Sequence, residues 1–171
     1  GFAWLKSLGH MVKEPSPDIV PLAVRERWVR DLSGVSLSFM KITFYLDGIK
    51  KLSKKGKILF THFGLSGPLI LNSAREVKDL LRAGKVTATI DTYPDTDIGS
   101  LEKQITKIFD QNKNKTLKNA LPALAPEGLA PACQTLLAGK IDLDQKVHSI
   151  TKEERRVIVD LLKALPLTVT G

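Results

Sequence analysis

The spacing of apolar residues changes twice along this chain, and that change limits what it can fold into. Over residues 41–46, the apolar Ile42, Phe44 and Leu46 alternate with other positions, which is the two-residue period of a half-buried strand. After Pro94 the spacing is helical for about seventy residues, and a short apolar run then ends the sequence. We therefore predict an α+β fold, a small β-barrel with a bundle of about three helices inserted before its last strand.

This pattern divides the chain into three parts. Residues 1–95 are predicted to form a barrel subdomain with flanking helices, residues 96–165 the inserted helical bundle, and residues 166–171 the last barrel strand. The sequence opens on Gly1 rather than Met and has no signal segment. We therefore expect that the N-terminus is cut or processed and that the chain belongs to a larger protein.

The barrel part contains several local signals for turns and strands. A helix over residues 2–8 is expected to end at Gly9, and Pro15 and Pro17 then favour an extended path into an edge strand over residues 18–24. The pair Asp47-Gly48 predicts a tight hairpin. A meander is expected to follow, with a strand over 49–53, a turn over 54–56 and a strand over 57–61.

The helical signals begin at Pro68, which favours a helix start, and the first apolar stripe continues to Gly84. A strand over residues 85–92 follows. Thr151 and Glu154 have the spacing of a capping box before a long helix. Three further helices are predicted near residues 101–109, 117–121 and 129–138, and the start of the third could be as late as Pro131. A final strand is predicted over 167–170, after Pro166.

Charge and cysteine content limit the partners and the compartment. The formal net charge is +8, with lysines grouped within residues 50–57 and 113–118. Such groups attract anions, but turns would place them in water in any case, and we favour solvated turns. The single cysteine, Cys133, excludes an internal disulfide and favours a cytoplasmic location. Glycines and a proline interrupt the uncharged stretch 58–74, so we expect no membrane helix.

Common cofactor and metal motifs are absent from the sequence. Neither G-x-G-x-x-G nor G-x-x-x-x-G-K-[ST] occurs, which excludes a dinucleotide fingerprint and a P-loop. His10, His62 and His148 lie far apart without carboxylates at ligand spacing, so a zinc site is not expected. Acidic pairs at 142–144 and 153–154 lie at element starts, where acidic side chains favour the helix dipole, and we assign them no catalytic role.

One segment, Leu59 to Pro68, combines glycines with polar side chains. It matches the G-x-S-x-G nucleophile elbow only in part, because Pro68 stands where the second glycine would be, and a serine hydrolase is therefore disfavoured. Gly64 and Gly67 permit unusual backbone angles, and Ser66 is predicted to cap the helix that begins at Pro68. Two interpretations stay open: a purely structural turn, which the residues alone favour, and a turn that contacts a ligand.

The same segment, L-F-T-H-F-G-L-S-G-P-L-I-L, resembles the most distinctive motif of the BaiN-like (aminoacetone-oxidase-like) NAD(P)/FAD-dependent oxidoreductases, a family of bacterial flavoproteins. Three further pieces agree in order. Residues 1–10 resemble the helix start after the family's T-G-D-G segment, residues 17–22 resemble its proline-flanked strand, and residues 34–37 also fit. The resemblance covers nearly the whole chain and is strongest over residues 1–75.

This resemblance implies a larger flavoenzyme in which the barrel, with its helical insertion, interrupts an FAD-binding Rossmann-like domain. The chain would then be a cap or substrate-access domain that covers the flavin side of the active-site cleft, is not catalytic alone, and has the Rossmann-like domain as its partner in cis. FAD and NAD(P)H are expected for the whole enzyme, and no cofactor for the chain alone. The motif positions that become candidates for facing substrate or flavin are Thr61, His62, Gly64, Ser66, Gly67 and Pro68.

Two other classes of function stay open. A basic small barrel is a common nucleic-acid platform, but Phe44, Phe60 and Phe109 fall on predicted apolar faces rather than between exposed basic residues, so we rank nucleic-acid binding below the flavoenzyme hypothesis. A pure protein-interaction module would need an exposed apolar patch, which a sequence does not reveal.

Overall fold

A computed structural model of the chain describes residues 1–12 and 19–171. Its strands are β1 (Leu22–Ala23), β2 (Ser36–Leu46), β3 (Ile49–Phe60), β4 (Gly64–Ser66), β5 (Val86–Asp91) and β6 (Leu165–Val169). Its helices are α1 (Phe2–Ser7), α2 (Arg27–Asp31), α3 (Pro68–Leu71), α4 (Ala74–Ala83), α5 (Ile98–Gln111), α6 (Leu117–Leu124), α7 (Ala130–Leu137) and α8 (Lys152–Lys163). A strand-rich part is followed by a helical block and one last strand, which confirms the predicted α+β class.

The strands form one antiparallel sheet in the order β1-β4-β3-β2-β5-β6. Its two longest strands, β2 and β3, are joined at Asp47 and Gly48, whose φ angles are 49° and 82°. Two successive left-handed residues define the turn type that matches the twist of a hairpin. The Asp-Gly pair therefore located this turn correctly.

The strand after the hairpin is longer than the sequence pattern predicts. β3 continues without the turn expected at 54–56, so the predicted three-stranded meander is wrong. Gly56, the residue that suggested a turn, lies opposite Met40 in the ladder, and an added Cβ would lie 3.0 Å from the Cβ of Leu69 in α3. Glycine is favoured there because a helix packs closely on the strand, and not because the chain reverses.

The two edges of the sheet meet, which curls it into a barrel. Val24, directly after β1, forms a bridge with Val169 of β6. The Ala23 N–H donates to the Gly171 carbonyl at 2.7 Å, and the Thr170 N–H donates to the Ala23 carbonyl at 2.9 Å. Because β6 follows the helical block in the sequence, the last residues of the chain complete the barrel.

The edge strand predicted over residues 18–24 is present in part, as β1. Its predicted start at Asp18, and the extended path expected at Pro15 and Pro17, lie outside the described residues. The description resumes at Ile19, and the chain reaches β1 three residues later.

The alternation of apolar and polar residues along the strands determines which face of the sheet is buried. Ile42 and Phe44 of β2, Ile58 and Phe60 of β3, and Ile90 of β5 are all at most 1% exposed. The hydrophobic core that they form continues into the helical block. One core therefore runs through both parts, and the division of the chain after residues 95 and 165 stays a prediction.

The single helix predicted from Pro68 to Gly84 is instead two helices, α3 and α4. Between them, the buried hydroxyl of Ser73 donates to the Leu69 carbonyl at 2.7 Å, and the Ser73 N–H donates to the Ile70 carbonyl at 2.9 Å. Bonds of this kind compete with continuation of a helix, and they hold a tight turn here. The apolar stripe correctly predicted helical structure over this range, but it did not predict the break between α3 and α4.

Four α-helices lie between β5 and β6, a region described throughout. Each matches one of the helical segments expected there, although the bundle is predicted to have about three helices. Pro131 lies in the first turn of α7, which fits the expected late start of that helix. The capping box of α8 is present, with Thr151 and Glu154 exchanging hydrogen bonds of 3.1 and 2.8 Å. Pro166 lies inside the final strand, opposite Thr89, rather than before it.

An ion pair attaches the helical block to the sheet. Lys163, at the end of α8, lies 2.8 Å from the carboxylate of Asp91 in β5, and both side chains are 16% exposed. The same ammonium group donates to the carbonyl oxygens of Tyr93 at 2.7 Å and Thr96 at 2.8 Å. Three oxygen acceptors around one ammonium group compensate its partial removal from water.

The N-terminal helix α1 leaves its apolar side chains in solvent. Phe2, Trp4 and Leu8 are each more than half exposed, and no residue of α1 is buried. Gly9, with a φ of 83°, ends the helix as predicted. The helix therefore has an apolar surface that the described part of this chain does not cover.

Candidate functional site

A tight turn joins β3 to β4 and contains the first part of the glycine-containing motif. The Thr61 N–H donates to the Gly64 carbonyl at 2.8 Å, and the Thr61 hydroxyl lies 3.0 Å from the same oxygen. The same hydroxyl oxygen also lies 3.1 Å from the Gly64 N–H, which can donate to it. The Thr61 side chain therefore stabilises the turn, a role that requires no ligand.

His62 and Phe63 form the exposed tip of this turn. Their rings meet edge to face, with centroids 4.9 Å apart and planes at 80°. The Phe63 carbonyl accepts a hydrogen bond of 3.2 Å from the Val24 N–H, which ties the tip to the residue after β1. The imidazole of His62 is thus held against its neighbour but is open to a group outside this chain.

Gly64 is buried because strand β1 lies directly against it. An added Cβ would lie 1.9 Å from the Leu22 carbonyl oxygen and 2.9 Å from the Ala23 Cα. Gly64 pairs with Ala23 in the ladder between β1 and β4. The space of the missing side chain is therefore filled by the backbone of β1 and is not open to a ligand.

Gly67 lies directly before α3 with a left-handed φ of 97°. An added Cβ would lie 3.0 Å from both the Leu59 nitrogen and the Lys57 carbonyl oxygen. Gly67 occupies the cap position of α3 without a side-chain hydrogen bond. The predicted capping role of Ser66 is therefore wrong, because Ser66 belongs to β4, opposite Leu59, one residue too early to cap the helix.

The structure thus separates the predicted site residues into two groups. Thr61, Gly64 and Gly67 have contacts within the chain that account for their presence in the motif. His62 is exposed and Ser66 is half-buried, so both remain accessible from outside. The turn is partly exposed, and contact of either side chain with substrate or flavin stays a prediction.

Other reactive groups do not form a second catalytic centre in the described ranges. Cys133 is buried in α7, and this burial raises the pKa of its thiol to about 11, so the thiol is unreactive near neutral pH. Within residues 1–12 and 19–171, no three His, Cys, Asp or Glu side chains are grouped to hold a metal ion. No helix of these ranges is long and apolar enough to cross a membrane.

One grouping was missed by the sequence analysis. Lys146 and His148 lie beside the lysines of residues 113–118, because Thr116 forms a bridge with Lys146. The only sequence signal was the lysine run itself, since the two segments are separated by helices α6 and α7 and share no motif.

These features define a class of protein: a curled antiparallel barrel whose last strand follows a helical insertion, with an exposed turn between β3 and β4. Residues 16–171 match the family described as the HI0933-like protein barrel and H2TH domain. The chain belongs to this family, the middle domain of the BaiN-like flavoproteins, and this confirms the resemblance drawn from the motif.

The chain is also similar to a ribosomal RNA dihydrouridine synthase of Haemophilus influenzae. The two are 24% identical over 173 aligned residues, which include the whole of this chain. The chain spans 39% of the length of that relative.

Proposed function

We propose that this chain is the cap or substrate-access domain of an FAD-dependent, NAD(P)H-linked oxidoreductase. In this proposal a Rossmann-like domain of the same protein binds the FAD, and the chain covers the active-site cleft without being catalytic alone. The observation that carries the proposal is the family match over residues 16–171, since the family is linked to FAD-dependent oxidoreductases. The chain's 39% share of its curated relative leaves ample length for a separate cofactor domain.

The glycines of the motif do not fit a cradle for FAD within this chain. A dinucleotide cradle uses glycines to let the pyrophosphate approach the backbone. Here, the space beside Gly64 is filled by Leu22, and the space beside Gly67 is filled by Leu59 and Lys57. Both glycines serve packing inside the barrel, which supports a cofactor held by another domain.

The side chains that can reach across to such a domain are His62 and Ser66. His62 lies at the exposed tip of the turn, and its ring nitrogens can donate or accept a hydrogen bond. Ser66 lies at the other end of the motif, half-buried in β4, and has one hydroxyl for a hydrogen bond. In the proposed enzyme, these two side chains contact substrate or the edge of the flavin, and the rest of the motif fixes their positions.

The name of the relative supports a reductive reaction. Dihydrouridine differs from uridine by two hydrogens across the C5–C6 double bond of the base, so its formation needs a hydride and a proton. Nicotinamide and flavin cofactors supply hydride transfer of this kind. We propose a reaction of this class for the enzyme to which this chain contributes, with the chain shaping access to the base rather than transferring the hydride.

The test uses the full-length protein that carries this chain, with His62→Ala and Ser66→Ala made separately. Each variant is expected to lower flavin-dependent turnover by about tenfold or more, on the scale of losses from single positioning or proton-transfer groups. Neither should change the thermal unfolding midpoint by more than about 2 °C, because neither side chain is in the core. The measurements are steady-state oxidation of NAD(P)H and calorimetry.

Lys50→Ala is the matched control, because Lys50 is exposed at the opposite end of β3 and should leave turnover unchanged. If His62→Ala and Ser66→Ala behave like Lys50→Ala, the site assignment is wrong. The 171-residue chain alone is expected to be colourless after gel filtration. Flavin absorbance at close to one equivalent per chain would refute the proposal that a separate domain binds the FAD.

A further inference from the structure

A phenylalanine in β2 has a backbone conformation that this residue type rarely adopts. The φ angle of Phe39 is 59°. A bulky residue with a positive φ is an outlier, because its Cβ lies too close to the following carbonyl oxygen. Asp47 is the only other non-glycine residue with a positive φ in the part of the chain that the structure describes, and it lies in the β2–β3 hairpin turn. Phe39 lies inside a strand, so its conformation has a different reason.

The conformation of Phe39 belongs to a β-bulge. Residues 37 and 40 of β2 pair with residues 58 and 56 of β3, so residues 38–39 together lie opposite Lys57 alone. A bulge increases the twist of a strand and turns a side chain in a new direction, and its left-handed position is commonly occupied by glycine. The curvature of the barrel therefore explains a bulge at this position, but it does not explain a phenylalanine.

The ring of Phe39 lies in solvent. Phe39 is 80% exposed, whereas Leu37 and Met40, on either side of it, are 3% and 8% exposed and belong to the core. Phe39 therefore points away from the core, on the outer face of the sheet. Both its backbone strain and its exposed apolar surface are unfavourable for the folded chain. A residue that is unfavourable within its own chain suggests a contact with a group outside that chain.

The outer face of the sheet also carries Ser66 of the motif. Ser66 pairs with Leu59 between β4 and β3, and Leu59 pairs with Ser36 between β3 and β2. Side chains that are paired in this way point to the same face. The next residues in these strands, Ile58 and Leu65, are buried, so the row of Ser66, Leu59 and Ser36 lies on the outer face.

Phe39 lies close to this row on the same face. Lys57, opposite the bulge, is two residues from Leu59, or about 7 Å along a strand, and neighbouring strands are about 5 Å apart. The Cα atoms of Phe39 and Ser66 are therefore about 12 Å apart. The fold thus places an exposed aromatic ring and a motif hydroxyl on one face, although 26 residues of sequence lie between them.

We propose that Phe39 stacks on a planar heteroaromatic ring that the cofactor-binding domain of the full-length protein holds against this face. Aromatic side chains favour offset or edge-to-face contacts with other rings. Sites for such ligands combine apolar contacts with a few polar groups that fix orientation, and the hydroxyls of Ser36 and Ser66 are groups of this kind. The proposal rests on the proposed function, which supplies two such rings: the isoalloxazine of FAD and the nicotinamide of NAD(P)H.

An extended protein interface fits this face less well than a flat ligand. The core of a protein interface is depleted in charged residues. Phe39 has Ser38 beside it and Lys57 opposite it, and the half-buried Leu59 is the nearest apolar residue of the paired row. A single aromatic ring among polar side chains supports contact with a ring rather than with a second apolar surface.

The test uses the full-length protein that carries this chain, with three separate variants of Phe39. Phe39→Leu keeps an apolar side chain without the ring, Phe39→Tyr keeps the ring, and Phe39→Gly removes the ring and relieves the backbone. Ile49→Ala is the matched control, because Ile49 is 63% exposed at the far end of the β2–β3 hairpin. The measurements are the dissociation constant of FAD by fluorescence titration of the apoprotein, the absorbance spectrum of the bound flavin, and the KM for NAD(P)H with ferricyanide as electron acceptor.

Phe39→Leu is expected to weaken binding of the ring by about two- to tenfold, the range found for aromatic pairs. Weaker FAD binding with a shift of the flavin absorbance bands would identify the ring as the isoalloxazine. A KM for NAD(P)H raised by the same factor, with FAD binding unchanged, would identify it as the nicotinamide. Phe39→Tyr and Ile49→Ala should both stay within about twofold of the unmodified protein, less than the loss of a ring contact.

Phe39→Gly tests the backbone strain without any cofactor, in the 171-residue chain. Glycine adopts a positive φ without steric cost, and this gain exceeds the entropy that glycine loses on folding. The melting temperature should therefore rise by about 1 to 4 °C. In the full-length protein, the same variant should weaken binding of the ring as Phe39→Leu does.

The proposal is overturned if Phe39→Leu changes neither the FAD affinity nor the KM for NAD(P)H, or if Phe39→Tyr loses as much as Phe39→Leu. A lower melting temperature of Phe39→Gly would also overturn it, because the ring would then stabilise the chain itself. An unmodified full-length protein that neither binds FAD nor oxidises NAD(P)H would refute the proposed function and this proposal together. Normal cofactor binding in every variant would refute this proposal alone.

Discussion

Gly64→Ala should destabilise the barrel, because it places a methyl group where the backbone of β1 now lies. The added carbon would be 1.9 Å from the Leu22 carbonyl oxygen, more than an ångström closer than a carbon and an oxygen normally approach. The contact involves backbone on both sides, so a side-chain rotation does not relieve it. Strand β1 must move away from β4, and the residues after β1 must move with it.

The expected loss can be estimated from the bonds that depend on the position of β1. Three hydrogen bonds join residues 23 and 24 to Phe63, Thr170 and Gly171. At about 1 kcal/mol each, their loss would lower the free energy of unfolding by roughly 3 kcal/mol. For a chain of this length, that corresponds to a fall in the melting temperature of about 6 to 12 °C.

Urea unfolding of the chain, followed by circular dichroism, measures this change. Gly99→Ala is the matched control, because its Cβ would meet only the Asp97 carboxylate, at 3.3 Å, and alanine is favoured in a helix. The control should be neutral or slightly stabilising. A Gly64→Ala variant within about 0.5 kcal/mol of the unmodified chain, a typical surface-substitution effect, would refute the close approach of β1.

Two further predictions concern buried groups. Lys163→Met should lower the free energy of unfolding by about 2 to 3 kcal/mol, because it leaves the partly buried Asp91 carboxylate unpaired. Arg156→Met, at the exposed pair with Asp160, should lower it by less than about 1 kcal/mol. Chemical unfolding of the two variants measures this difference. Burial raises the pKa of the Cys133 thiol to about 11 in the folded chain, so stability should fall as pH rises from about 8.5, the ordinary value, towards 11. Cys133→Ala should lack that fall, and thiol titration should be slow until the chain unfolds.

Local signals predicted the fold well where the cause was local. The Asp47-Gly48 pair dictates its own left-handed turn, and Thr151 with Glu154 caps its own helix. The errors arise where a contact with a distant segment determines the local structure. Gly56 reads as a turn residue, but its reason is a contact with Leu69, which no local pattern reveals.

The candidate site shows the same limit. The glycines of the motif correctly marked an unusual turn, and His62 was correctly placed at an accessible position. The sequence did not indicate that Gly64 faces β1, a strand some forty residues earlier, because the approach of two backbones leaves no side-chain pattern. The grouping of Lys146 with residues 113–118 was missed for the same reason, since the two segments are distant in sequence and a bridge joins them in the fold.

The position of β6 after the helical block has a consequence for biosynthesis. The barrel strands up to β5 leave the ribosome first, but the strand that joins β5 to the residues after β1 comes about 74 residues later. At typical rates of about 5 to 20 residues per second, both sheet edges stay unpaired for roughly 4 to 15 s. During that interval the helical block has time to form, since helices assemble in microseconds. The nascent barrel is thus exposed to mispairing with neighbouring chains until β6 emerges, and a truncation before Leu165 would make that exposure permanent.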